Sequence, residues 1–133
     1  MAITTSTLGG ADTTIGDDEL EELRAQVRGD VLTPADDGFD ANPIYNAMHG
    51  RRPALKVRAT GTADVVDTVN FARERSLLVA VRGGGHNYAG SSSTSGLLVK
   101  TRPMNEVALD TASGALEISG ITRNLVLGAG AMA

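Results

Sequence analysis

From Asp17 to Arg28 the apolar positions Leu20, Leu23 and Val27 recur at helical spacing, which places them on one face and predicts an α-helix. Asp17, Asp18 and Glu19 suit the positive end of its dipole, and Gly29 supplies a stop. Val31 to Asn46 breaks the pattern with Pro34, Gly38 and Pro43 among several Asp and Asn residues, so it reads as loop or turn. Ala54 to Ala59 alternates. Leu55, Val57 and Ala59 point one way and Lys56 and Arg58 the other, the mark of a half-buried strand. Thr62 can cap a following helix that runs to about Arg75, with Asp64 in its first turn. Val65, Val69 and Ala72, with Val66 beside them, make its expected buried stripe. Leu77 to Val81 is a continuous apolar run, typical of a strand covered on both faces.

Strand, helix and strand in so short a span predict a βαβ unit. Further short runs read as strands: Leu97 to Lys100, Val107 to Asp110, Ala115 to Ile118 and Asn124 to Leu127. The second half of the chain is therefore mostly β, and the fold class is α+β. Met1 to Gly16, rich in Thr, Ser and Gly, reads as a flexible start.

Directly after the βαβ unit comes Arg82-Gly83-Gly84-Gly85-His86-Asn87-Tyr88-Ala89-Gly90, then three serines. Consecutive glycines lose the most backbone entropy on folding. They make sense where a chain must turn tightly and approach a ligand closely. At Gly84 a branched side chain would fill that space and disfavour positive φ. Successive N–H groups can form an anion nest, and Arg82 adds a full positive charge. Such a loop suits a pyrophosphate. The competing reading is a wide surface turn. Position favours the ligand, because the loop leaves the C-terminal end of a strand, where open α/β sheets bind ligands. The usual nucleotide signatures fail: no Gly-Lys pair exists, and Tyr88 stands where a third Rossmann glycine belongs.

Composition narrows the field further. The 133 residues suffice for one domain, and the net charge of −4 does not favour a nucleic-acid backbone. Aromatic content of 3% argues against base-stacking or sugar-stacking surfaces. With no cysteine and two histidines, His49 and His86, thiolate chemistry is excluded and a metal site is not expected. No stretch approaches the roughly 20 apolar residues of a membrane span, and no basic segment followed by an apolar run marks a secretory signal. A cytoplasmic protein is expected.

Val79 through Gly90 closely resembles the flavin loop of berberine bridge enzyme-like oxidases. These belong to the vanillyl-alcohol oxidase group, whose shared FAD domain is called PCMH-type. Other segments match in order: Leu32-Thr33-Pro34-Ala35-Asp36 with Tyr45-Asn46, Arg52-Pro53-Ala54, Thr62-Ala63-Asp64-Val65, and Met104 through Val107 with Asp110. The resemblance spans about Asp30 to Asp110. It implies that 17–133 form the N-terminal part of a PCMH-type FAD domain after the flexible 1–16, with the rest of that domain and a substrate domain lying downstream. It also implies an FAD site built from Arg82, Gly83, Gly84, Gly85, His86, Asn87 and Gly90. In the family the loop histidine is often bonded through a ring nitrogen to the flavin 8-methyl carbon, a role that falls on His86. The intact enzyme would oxidise a small organic substrate (a sugar, an alcohol or an alkaloid-like molecule), with dioxygen as acceptor. Its catalytic acid and base lie downstream, so no catalytic residue is assigned here and the chain alone is expected to be inactive.

His49, Arg51 and Arg52 read as an exposed turn with a solvated pair. Tyr88 can pack on the flavin or simply against the protein. Two departures from the family stand out. Its usual Ile-Asp-Leu continuation is replaced by Val99-Lys100-Thr101-Arg102-Pro103, and Ile118 to Leu127 reads as altered sequence. The tail from Leu125 matches a Gly-x-Gly-x-x-Ala dinucleotide pattern but lacks the helix that must follow. The rival to the oxidase is a truncated, non-catalytic remnant that binds a nucleotide weakly or serves as an interaction module.

Overall fold

Residues 2–41, 44, 46–105 and 107–118 are described by the computed structural model. The chain opens with a hairpin. Ile3–Ser6 (β1) and Asp12–Ile15 (β2) pair antiparallel, with Ile3 opposite Ile15. This corrects the expectation of a flexible start. Ile3, Thr4 and Thr5 face Thr13, Thr14 and Ile15, and such β-branched residues favour strands. Ile3 and Ile15 reach the core, and Leu78 N–H donates to the Ser6 carbonyl at 2.9 Å, so the hairpin is also tied to the sheet.

Helix α1 (Asp17–Gln26) matches its expected span and buries Leu20 and Leu23. The Glu19 carboxylate accepts from the Gly16 N–H and from Arg75 Nε, both at 2.9 Å. These bonds hold its pKa below the usual carboxylate range. Arg75 also reaches Glu22 at 3.0 Å, joining α1 to the end of helix α2.

Asp30–Leu32 (β3) falls within the segment expected to be loop. It pairs antiparallel with Leu55–Arg58 (β4), Val31 opposite Val57. Then comes α2 (Thr62–Glu74), capped at Gly61 without a side-chain bond rather than by Thr62. Its buried face is Asp64, Thr68, Phe71 and Ala72, while Val66 and Val69 are exposed. Of the expected stripe, Ala72 is buried and Val65 packs against the core, but Val69 is exposed and Asp64, Thr68 and Phe71 take up the buried face beside them. The reason is Asp64. Its carboxylate accepts from the N–H groups of Arg28 (2.8 Å), Gly29 (3.0 Å) and Thr60 (2.9 Å) and from the Thr60 hydroxyl (2.8 Å). Four donors outweigh one more buried valine.

Val79–Arg82 (β5) and Leu97–Lys100 (β6) complete a sheet of order β3-β4-β6-β5, with β6 parallel to both neighbours. The expected βαβ unit is present as β4-α2-β5, but β6 returns to lie between its strands. That makes β5 an edge strand, and Val81 is 51% exposed, against the expectation of cover on both faces. One face of the sheet carries Leu55, Val57, Ala59, Leu97 and Val99, packed with Leu23, Phe71 and Ala72. The other carries Lys56, Arg82, Leu98 and Lys100, all buried. The polar side of β4 is therefore covered at Lys56, while Arg58 at the strand end stays exposed. A separate hairpin follows, Val107–Asp110 (β7) with Ala115–Ile118 (β8). Tyr45, the strand expected at Asn124 to Leu127 and the glycine-containing tail lie outside the described residues.

The Asp64 cluster generates a stability prediction. Burial raises the Asp64 pKa, but the donated hydrogen bonds outweigh it and the net shift is downward. Asp64→Ala is expected to cost about 3 kcal/mol in urea unfolding, the scale of a lost charge-assisted network. Because the folded pKa is depressed, this contribution is complete above the ordinary carboxylate value of about 4 and is lost as pH falls through the folded value. The gap between wild type and variant should therefore narrow in acid.

Candidate functional site

Parallel pairing brings the C-terminal ends of β4, β5 and β6 to one edge. Arg58, Arg82 and Lys100 lie side by side there in register. The loop after β5 leaves from this edge, and α2 begins close by at Gly61.

Arg82, the last residue of β5, turns inward. Its side chain is 4% exposed, and its Nε donates to the Ser92 carbonyl at 3.0 Å. Burial lowers its pKa, though from so high a value that the charge persists. Gly83, Gly84 and Gly85 then carry the chain off the sheet. Positive φ falls at Gly85 (+79°) and at Gly90 (+79°). Gly84 does not need it, a correction to the expectation for that position. Between these two glycines His86, Asn87, Tyr88 and Ala89 are exposed. Asn87 Oδ1 accepts from the Ser91 N–H at 3.0 Å and closes the far side of the loop. Tyr88 is 83% exposed.

The loop rests on a platform that the sequence did not announce. Ala47–His49 forms one turn of 3-10 helix, and the His49 ring lies against Gly90, so close that a Cβ on Gly90 would stand 2.6 Å from the His49 Cβ. His49 is therefore half-buried beneath the loop rather than on a free turn. Arg51 N–H donates to Ser93 Oγ at 2.8 Å. Arg52 pairs with Asp40 at 3.1 and 3.2 Å and lies over the Phe39 ring, so the two arginines are not merely a solvated pair. Ser92 Oγ is buried and lacks a hydrogen-bond partner among the described residues.

The arrangement suits a diphosphate. Two glycines with positive φ let the backbone close around a ligand, a buried guanidinium sits at the loop's root, and the polar loop tip is open to solvent. Such loops cradle anions through backbone N–H groups. Lys56 and Lys100 were not anticipated as part of this region. Their signal was the alternation itself, which assigns Lys56, Arg58, Arg82 and Lys100 to one face once the strand order is known.

A parallel sheet with a glycine loop at its C-terminal edge defines a nucleotide-binding class of domain. Residues 53–129 match the family described as FAD binding domain, and the chain belongs to that family. Over 96 residues it is 36% identical to (R)-6-hydroxynicotine oxidase of Paenarthrobacter nicotinovorans, covering 71% of this chain and 21% of that protein. The crystal structure of 6-hydroxy-D-nicotine oxidase from Arthrobacter nicotinovorans superposes with a TM-score of 0.64 at 36% identity, over 69% of this chain and 21% of that one. Berberine bridge enzyme from Eschscholzia californica superposes with a TM-score of 0.61 at 24% identity, over 72% and 22%, and speaks to the fold alone. The chain thus spans about a fifth of the length of these relatives. The fold is the α+β, PCMH-type FAD domain expected from the flavin loop.

Gly90→Ala combines a forbidden φ with a clash against His49. It is expected to lower stability by about 2 kcal/mol, read as a fall in thermal midpoint. Adding His49→Gly, which removes the Cβ as well as the ring, should recover the steric share and leave the backbone share. A single variant as stable as wild type would mean that the loop does not rest on His49.

Proposed function

We propose that the loop holds the diphosphate of FAD, with Arg82, Gly83, Gly84, Gly85, His86, Asn87 and Gly90 as the binding residues, and that His86 carries the flavin covalently in an intact FAD-dependent oxidase. The observation that carries this reading is the pairing of positive-φ glycines at 85 and 90 with buried Arg82 at the root of one loop. Membership of the FAD-binding family supports FAD over other dinucleotides. In this account 17–133 are the N-terminal part of the FAD domain.

Each residue has a definable task. The backbone N–H groups of Gly83 to Gly85 face the diphosphate oxygens, and Gly85 supplies the turn that only a residue without Cβ makes cheaply. Arg82 sets a positive potential beneath them. His86 stands at the exposed loop tip, where its imidazole nitrogen would bond to the 8-methyl carbon as that carbon and the imidazole each give up a proton, the electron pair passing into the flavin ring and on to dioxygen. Asn87 fixes the loop's return. Bound there, FAD would supply two-electron redox chemistry, with a small organic substrate as hydride donor and dioxygen as acceptor. The substrate is a sugar, an alcohol or an alkaloid-like molecule. The likeness to an oxidase named for 6-hydroxynicotine weighs toward the last.

The test uses full-length protein on a denaturing gel. Wild type should show a flavin-fluorescent band, and His86→Ala should lose it while keeping FAD that dissociates on denaturation. Gly85→Ala should lower FAD occupancy at least about tenfold with a smaller effect on folding, since the strain lies at the loop. A wild-type band without flavin would remove the covalent role of His86. Unchanged occupancy in Gly85→Ala would make the loop a simple turn.

A further inference from the structure

Residues 39–41 are gripped by cations from the sheet and from the chain that leads into it. Lys56 Nζ on β4 donates to the Phe39 carbonyl, and Lys100 Nζ on β6 donates to the Ala41 carbonyl at 3.0 Å. Lys56 Nζ and the Arg52 guanidinium lie over the Phe39 ring, 4.7 and 5.2 Å from its centroid. Arg52 also pairs with Asp40. Phe39 is 1% exposed, and Lys56 and Lys100 are 3% and 4% exposed. Bonds from an ammonium to a carbonyl and to an aromatic face are stronger away from water than in it.

Space filling does not account for these lysines. Burial, then the charges of Lys56 and Arg82, then those of Arg58 on β4 and of Arg102 beyond β6, push the Lys100 pKa down to about 8. Its charge is thus unfavourable to the sheet, and an uncharged side chain of similar length would fill the same space more cheaply. What the lysine adds is its bond to Ala41. Lys100 also lies in the run that replaces the family's Ile-Asp-Leu. From Ala41 the chain runs on to the turn of Ala47–His49 against Gly90, and Arg51 N–H then donates to Ser93 Oγ at 2.8 Å. The stretch from 39 to 51 therefore meets the buried lysines at one end and the flavin loop at the other. A cavity of about 420 Å³ has Ala47, Gly50 and Arg51 of this platform and Lys56 and Arg82 of the sheet in its lining. Close packing against the sheet therefore does not by itself fix the platform.

We propose that Lys56 and Lys100 are positioning residues for the flavin loop: by holding residues 39–41 they set the platform of residues 47–51 on which Gly90 and Ser93 rest. The consequence for flavin rests on the diphosphate reading above, whereas the coupling between the lysines and the loop does not.

The experiment is amide hydrogen exchange of the full-length protein without FAD, in wild type, Lys100→Met and Lys56→Met, beside thermal unfolding of each. The N–H groups of His49, Gly50 and Arg51 on the platform and of Ser91 and Ser93 on the loop's return all have hydrogen-bond acceptors. Their exchange therefore reads local opening. Lys100→Met should speed exchange at all five by at least about tenfold. Its thermal midpoint should stay level or rise, because a buried charge is gone, and the amides of α2, on the opposite face, should exchange no faster than in wild type. A residue that only stabilised the fold would move midpoint, α2 and loop together. Lys56→Met should speed the same amides, and it carries the test if Lys100→Met folds poorly. In a His86→Ala background, where FAD would be held without a covalent bond, replacing either lysine should speed FAD dissociation at least about fivefold. Unchanged exchange at platform and loop in both variants, or exchange that rises only in step with a falling midpoint, would overturn the proposal. Faster loop exchange with unchanged FAD dissociation would uphold the positioning and count instead against the loop as the diphosphate cradle.

Discussion

The site depends on where β6 lies. By inserting between β4 and β5 and running parallel to both, it aligns three strand ends at one edge. That alignment forces the loop after β5 to leave from the same edge, and it places Arg58, Lys100 and Arg82 in one row. A β4-β5 pairing without β6 would have put the glycine loop beside the first strand and left Lys100 elsewhere. The serines and Gly96 that precede β6 are buried or partly buried, apart from exposed Ser91. The returning chain is therefore buried, and the loop tip is exposed.

The sheet's two faces are treated differently. The helix side is an ordinary apolar core, in which Leu23, Leu55, Val57, Leu97 and Val99 are completely buried. The other side buries charge under the Phe39–Ala41 segment and the serine return. Burying cations is costly. Chains tolerate such strain mainly where function needs it. The direction of the Lys100 shift expresses the same tension, because burial first, and then the neighbouring cations, make the lysine give up its proton early.

Much of this was legible in the sequence, and the failures have physical causes. The span of α1, the strands at Leu55–Arg58, Leu97–Lys100, Val107–Asp110 and Ala115–Ile118, and the βαβ unit follow from periodicity. The hairpin of residues 3–15 did not, because composition rich in Thr and Ser hid its β-branched alternation. The stripe on α2 held at Val65 and Ala72 but failed at Val69, because apolar count favoured that valine, whereas a buried Asp64 with four donors set the rotation. Strand β5 was read as covered because an apolar run does not reveal strand order. The glycine loop could be located, but not the two positions within it that need positive φ, nor His49 beneath Gly90. These depend on contacts between segments some 40 residues apart.

Hydrogen exchange of the full-length protein with and without FAD tests most directly whether the loop after β5 is the diphosphate cradle. The account predicts that FAD slows exchange most strongly at the amides of residues 83–90, with lesser protection at Arg51, Arg52 and Ser91 to Ser93, which buttress the loop. Tight FAD binding that left 83–90 exchanging as fast as in the FAD-free protein would contradict it.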